Sequence, residues 1–173
     1  MRQVLLHVCC APCSTHCIEK LRSEKIEPVL YFYNPNIHPK SEYDKRLDEV
    51  KKYSKKAGCE LIVGEYDSEN WHKIVEGLED EPEGGKRCAK CFELRLENTA
   101  KKKKDFTTSL TVSKYKNSKV IIPLAKELAE KEGIIFLDYN FKKEDGYNKS
   151  IKLSKENNLY RQDYCGCVYS KLK

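Results

Sequence analysis

The sequence predicts an α/β domain built on a mostly parallel sheet of about five strands, with helices on both faces. Short apolar, β-branched and aromatic runs alternate about five times with amphipathic stretches of helical period. Clusters of Gly, Pro and Asn punctuate these runs singly and never gather into a linker, a repeat or a low-complexity segment. The 173 residues therefore read as one catalytic-sized domain, 1–173. A chain of that length hides about 70% of its unfolded surface and needs no staples.

Val4–Val8 is a buried strand running into CCAPC, where Pro12 is suited to open a helix that continues through His16 to Ser23. Pro28 introduces a second strand, Val29–Tyr33, rich in β-branched and aromatic residues. NPNIHP is a loop. Tyr43 to Lys56 form a charged helix with Tyr43, Leu47, Val50 and Tyr53 on one face. Leu61–Val63 is a third strand, and Trp71, Ile74, Val75 and Leu78 mark an amphipathic helix. After the Gly/Pro-rich break 79–86, the stretch RCAKCFELRLENTA is helical. Phe106–Val112 is the fourth strand, Ile121–Lys131 a helix, Ile134–Leu137 the fifth strand, and Tyr147–Asn157 a last helix before YRQDYCGC.

Hydrophobic residues make up 39% and charged ones 35%. No apolar run approaches the roughly 20 residues of a membrane span. The start, MRQVLLHVCC, is too brief for a signal peptide, so the expected location is the cytoplasm. A net charge of +6 favours acidic partners such as nucleic acid, although only mildly. The run Lys101–Lys104 reads as a solvated helix end.

Of nine cysteines, eight fall in groups: Cys9, Cys10, Cys13 and Cys17; Cys88 and Cys91; Cys165 and Cys167; only Cys59 stands alone. In a reducing compartment such groups read as metal ligands or redox catalysts. Ligands of open α/β sheets bind beyond the carboxyl ends of the strands, where strand order reverses, and Cys9 and Cys10 stand at that place. A helix N-terminus there favours thiolate. Cys88-x-x-Cys91 lets two sulfurs face one centre, and Gly166 permits close backbone approach between Cys165 and Cys167. Buried structural thiols, a four-thiolate zinc site and an iron–sulfur cluster remain as alternatives at this level. Cys17 and Cys59 fit a structural role, while Cys13 fits a helix lining and a ligand equally well. The place of a Gly/Ser-rich phosphate loop is taken by CCAPCS, which argues against ATP.

HVCCAPCS at 7–14, RCAKCFELRL at 87–96 and YRQDYCGC at 160–167 resemble the signatures of the cobalamin-independent epoxyqueuosine reductases. YNPNIHP at 33–39 and TTSLTVSKYKN at 107–117 resemble further blocks of that family, in the same order. The resemblance implies a fold related to nucleotide-binding domains of the HUP/PP-loop type. It also implies removal of the epoxide oxygen from epoxyqueuosine at the wobble position of transfer RNA. By the same resemblance the cofactor is a [4Fe–4S] cluster with an additional iron beside it. Cys9, Cys10, Cys88 and Cys91 would then be cluster ligands. Cys165 and Cys167 would be a redox-active pair or ligands to the adjacent iron, and Asp163 is a further candidate for that iron.

Deoxygenation of an epoxide takes two electrons and two protons and releases water. Asp163 and Tyr164 are the candidate proton donors, with His38 behind them. Arg87, Arg95 and Arg161 are expected to hold the transfer RNA backbone or to orient the site. An external low-potential donor such as ferredoxin or flavodoxin is expected as partner. Two rival classes remain: a zinc-stapled RNA-binding module without catalysis, and a thiol–disulfide oxidoreductase using Cys165 and Cys167.

Overall fold

A computed structural model describes residues 1–171. Its elements are β1 (Arg2–His7), α1 (Ala11–Ser23), β2 (Ile26–Phe32), α2 (Lys40–Ala57) and β3 (Leu61–Val63). They continue with α3 (Ser68–Ile74), α4 (Lys86–Ala100), β4 (Phe106–Thr108), α5 (Ser118–Glu132), α6 (Gly146–Glu156) and α7 (Val168–Lys171). The strands form one sheet in the order β3-β2-β1-β4, and every pairing is parallel.

The alternation of side chains along β1 and β2 separates two cores. Leu5, Val29 and Tyr31 face a cluster with Phe92, Leu96 and Ile121 from α4 and α5. Val4, Leu6, Leu30 and Phe32 face the opposite cluster with Ile18, Leu21 and Val50 from α1 and α2. Burial on both faces explains why these strands are apolar throughout rather than alternating. Pro28 lies in β2 without breaking the sheet. The Leu30 N–H donates to Glu60 at 2.9 Å, so the N–H groups of that parity point to the β3 side. Pairing with β3 begins only at Leu30, and the donor that Pro28 lacks has no acceptor waiting.

Two expected strands come out shorter. The segment 106–112 is a strand only to Thr108 and then turns into a 3-10 helix, Ser109–Val112. Thr108 Oγ1 accepts from the Leu110 N–H at 3.2 Å, a local bond that competes with extension. Because β4 stops there, Ile134–Leu137 is not a fifth strand but a single parallel bridge, Phe106 to Phe136. Side chains replace the missing ladder. Thr107 Oγ1 donates to the Leu137 carbonyl at 2.8 Å and Thr111 Oγ1 to the Tyr139 carbonyl at 3.1 Å. Likewise α3 ends at Ile74 instead of reaching Leu78, since Gly77 takes φ +84° and turns the chain. Among the described residues no helix is long and apolar enough to cross a membrane.

The bridge segment is anchored at its start by Asp105, which accepts from the Ile135 N–H at 2.9 Å and from Arg2 at 2.6 Å. These bonds hold its carboxyl below the ordinary value of 3.8. A lowered folded-state value means stability that is present above the unfolded value and lost as pH falls through the folded one. At neutral pH, Asp105→Ala is therefore expected to cost about 1 kcal/mol. In urea titrations that difference should vanish as the pH is taken below 3.8. A constant difference at all pH values would contradict the anchoring role.

Candidate functional site

Strand order reverses between β1 and β4, and the chain leaves both strands there. Cys9 follows β1, and its N–H donates to Ser109 Oγ, just past β4, at 3.2 Å. Cys10 is the N-cap of α1: its sulfur accepts the Cys13 N–H at 3.5 Å, and Pro12 occupies the first turn as expected. The capping geometry turns three sulfurs together. Those of Cys9, Cys10 and Cys13 all lie within 4.8 Å of one another, an arrangement able to hold a metal ion. The Cys9 and Cys10 sulfurs are 3.9 Å apart. Thiolates at ~2.3 Å from one tetrahedral ion stand ~3.8 Å apart.

The electrostatics favour one anion in the trio. Hydrogen bonds from the Cys10 and Cys13 thiols pull Cys9 well below the ordinary thiol value, helped by the charges of Lys116 and Arg95 against the cost of burial. Cys13 favours the Cys10 thiolate, but Cys9 and burial outweigh it and push Cys10 up to about 12. Cys13 is also held high, by its bonds to Cys10 and Cys9 and by burial. Below them His7 is fully enclosed, and burial together with the Arg95 charge brings it down to about 4. It is neutral. Its Nε2–H faces the Tyr33 carbonyl at 3.1 Å, so Nδ1 accepts from Thr108 Oγ1 at 3.0 Å.

Two cavities meet at this point. One of about 430 Å³ is lined by Cys9, Cys13, Cys165, Arg161, Asp163 and Tyr164. Its neighbour of about 250 Å³ is lined by Cys88, Cys91, Cys165, Cys167 and Trp71. Cys165, Arg95 and Lys116 belong to both walls. Each cysteine group named from the sequence thus reaches this region. Cys88 and Cys91 stand on the first turns of α4, three residues apart on one face. Burial pushes both thiols up. Cys17 donates to the Cys13 carbonyl at 3.3 Å, and Cys59 packs against Arg22 at the far end of α2, which agrees with structural roles.

Arg87 and Arg95 are buried, which directs them inward and away from a surface phosphate. Arg87 Nη1 donates to the Leu78, Glu79 and Glu81 carbonyls, tying the 79–85 loop to α4. Arg95 Nη2 donates to Asn34 Oδ1 at 2.9 Å, while Nη1 lies 3.8 Å from the Cys91 sulfur. Its Nε has no protein partner among the described residues. Arg161 and Asp163 are exposed on the cavity rim. The Tyr164 hydroxyl is engaged, donating to the His38 carbonyl. His38 is itself taken up in holding the chain: Nδ1 accepts the Val168 N–H at 3.3 Å, and its own N–H donates to the Gly166 carbonyl at 2.7 Å.

Two residues went unnoticed in the sequence. Arg46 is buried on α2, pairs with Glu42 at 2.8 Å and donates to the Cys165 and Tyr164 carbonyls at 2.8 and 3.0 Å. Glu42 also accepts from the Tyr160 hydroxyl at 3.0 Å, so the two side chains clasp the CGC segment. The signal was a Glu–Arg pair at i, i+4, common on solvated helices and uninformative alone. Lys116 is the second, a half-buried ammonium whose charge faces Cys165, Cys9 and Cys13.

The sheet and its switch point define a class: a parallel α/β domain with a cysteine trio able to hold a metal where a nucleotide-binding loop could stand. One solved structure, a predicted subunit of a tRNA methyltransferase from Methanocaldococcus jannaschii, shares this fold with a TM-score of 0.65 at 16% identity, over 90% of this chain and 75% of that one. The chain belongs to the epoxyqueuosine reductase QueH family, whose family model matches residues 4–173, and it is an oxidoreductase. It is 42% identical over 174 residues to epoxyqueuosine reductase QueH of Haemophilus influenzae, covering 97% of this chain and 71% of that protein. It is 40% identical over 181 residues to that of Thermotoga maritima, covering 100% and 92%.

Gly166 sits at φ +124°, and a Cβ there would stand 3.0 Å from both Arg46 Nη1 and Ile37 Cγ1. Gly166→Ala should therefore displace the CGC segment and raise the rate at which Cys165 and Cys167 react with a thiol reagent. Arg46→Ala should cost about 3 kcal/mol by leaving Glu42 unpaired. It should also speed amide exchange across residues 160–168. Unchanged exchange there would show that the clasp does not hold the segment.

Proposed function

We propose that this chain reduces epoxyqueuosine to queuosine in transfer RNA, in the cytoplasm, with residues 1–173 acting as one catalytic domain around an iron–sulfur centre. The observation that carries the reading is the meeting of three cysteine groups at one switch point, in a chain of this family. The donor set fits such a centre. Soft thiols with buried cations beside them suit a thiolate-bound iron group. The bare Arg95 Nε supplies a donor toward that negative charge.

Motif match assigns Cys9, Cys10, Cys88 and Cys91 to a [4Fe–4S] cluster, and Cys165 and Cys167 to a redox pair or, with Asp163, to an adjacent iron. The close trio adds Cys13 as a ligand candidate. When bound, the group supplies one-electron transfers and a Lewis acid for the epoxide oxygen. The chain's residues do the rest. Cys9 offers a thiolate without an external base, and binding draws the protons from Cys88 and Cys91. Arg46 and Glu42 fix the Cys165 backbone against α2. Asp163, a lining residue of the larger cavity, is the proposed proton donor, whereas the Tyr164 hydroxyl must first release His38. Arg87 and Arg95 orient the cysteine-bearing helix, and Arg161 remains for phosphate contact. Electrons come from an external low-potential donor of ferredoxin or flavodoxin type.

Iron and sulfide analysis of anaerobically purified protein tests the centre. Ser at Cys9, Cys10, Cys88 or Cys91 should remove most iron, sulfide and brown colour, whereas Cys59→Ser should leave them intact. Zinc without sulfide would favour the stapled RNA-binding module. Cys165→Ser and Cys167→Ser should keep much of the cluster signature and lose turnover. Total loss of cluster in those two variants would transfer ligand roles to them.

The reaction itself is tested on an anticodon stem-loop carrying epoxyqueuosine, with reduced protein and a low-potential donor. Conversion to queuosine is the expected outcome. No conversion by fully loaded protein would sink the reaction even with the cluster established.

A further inference from the structure

We propose that Tyr115 and Tyr147, with Lys114 over both, form a nucleobase-stacking platform at the mouth of the larger cavity, ringed by cations that hold the phosphates of a single-stranded RNA loop. This rests on the transfer RNA reading and names the surface that would meet the substrate. Tyr115 is 69% exposed, one of few large apolar side chains left in solvent. Its ring meets that of Tyr147 at 6.5 Å and 90°, so Tyr147 props it upright. Lys114 Nζ lies 5.2 Å from one ring centre and 5.1 Å from the other. Both tyrosines line the cavity that holds Cys9, Cys13 and Cys165. An aromatic face beside a cation is the usual means of holding an unstacked base without reading its edge.

The charge around this mouth points the same way. Lys114, Lys116, Lys142 and Arg161 make no ion pair with a carboxylate among the described residues. They are neighbours in space. Lys142 Nζ donates to the Lys116 carbonyl at 2.5 Å, the Asn140 side chain bonds Ser118, and Arg161 shares the cavity wall with Lys116 and Tyr147. In the densest basic run, by comparison, Lys101 pairs with Glu97 and Lys103 with Glu132. At the cavity mouth unpaired cations stand beside an exposed ring, a fit for an anticodon loop whose bases are splayed and whose phosphates face outward.

The test is fluorescence anisotropy of a labelled, unmodified anticodon stem-loop with the protein. Tyr115→Ala should weaken binding about tenfold and Tyr115→Phe should not, since the ring and not the hydroxyl makes the stack. Lys114→Ala and Arg161→Ala should each lower the slope of log affinity against log salt by about one. Lys101→Ala should leave that slope unchanged. Tyr115→Ala binding as tightly as wild type, in a protein that converts epoxyqueuosine, overturns the platform alone. Wild-type protein that binds the stem-loop through Tyr115 and fails to convert epoxyqueuosine supports the platform and sinks the reductase reading.

Discussion

The pairing of β1 with β2 on one edge and β4 on the other is the constraint on which the site depends. Because β1 is central and parallel to both, its carboxyl end opens into a crevice between two diverging crossovers. The backbone of Cys9 bridges that crevice to Ser109, and α1 begins at once with Cys10 as its cap. A helix dipole, the buried Arg95, the half-buried Lys116 and three sulfurs therefore share one small volume. Hydrogen bonds from the neighbouring thiols, helped by those cations, pull the Cys9 thiol well below its ordinary value. The same geometry elsewhere favours phosphate, and here CCAPCS in place of a Gly/Ser-rich loop supplies three sulfurs able to hold a metal.

Cations inside the fold and cations on its surface have separate tasks. Arg46, Arg87 and Arg95 are buried and spend their donors on backbone carbonyls, a carboxylate, an amide and a sulfur. They hold the CGC segment, the 79–85 loop and α4 in register with one another. Cysteines brought to adjoining cavities by three distant stretches of chain need such fasteners to keep their relative positions. Arg161 and the lysines around the larger cavity are left without carboxylate partners and can face a polyanion. The dividing factor is burial: inside, a guanidinium turns its donors to carbonyls, an amide, a sulfur or a carboxylate, while outside, water solvates an unpaired charge.

Where strand expectations failed, side-chain hydroxyls account for it. Segment 106–112 has strand composition, yet Thr108 bonds the Leu110 N–H and Ser109 bonds the Cys9 N–H, so the chain turns inward. That turn shortens β4 and denies Ile134–Leu137 a ladder, leaving a bridge supported by Thr107 and Thr111. The cost to the sheet is the gain of the site: a β4 that ran on would carry Ser109 past Cys9.

The sequence by itself determined the alternation of strands and helices, the two-sided burial of β1 and β2, the opening of a helix at Pro12 and the grouping of the cysteines. These are local properties, written in hydrophobic period, in proline geometry and in spacing along one helix. It also carried the family resemblance in five ordered blocks. Only the tertiary structure decided that Cys13 joins Cys9 and Cys10, that Arg46 and Glu42 fasten the CGC segment, and that Arg87 and Arg95 point inward. The same holds for the free cations that ring Tyr115 and Tyr147. The cysteine trio lies within five residues and is set by the capping geometry of α1, but the others depend on partners remote in sequence, 119 residues apart for Arg46 and the Cys165 carbonyl, and on whether a charge ends inside or outside. Periodicity along the chain reports which face of an element is buried, and it carries no information about which distant element will cover it.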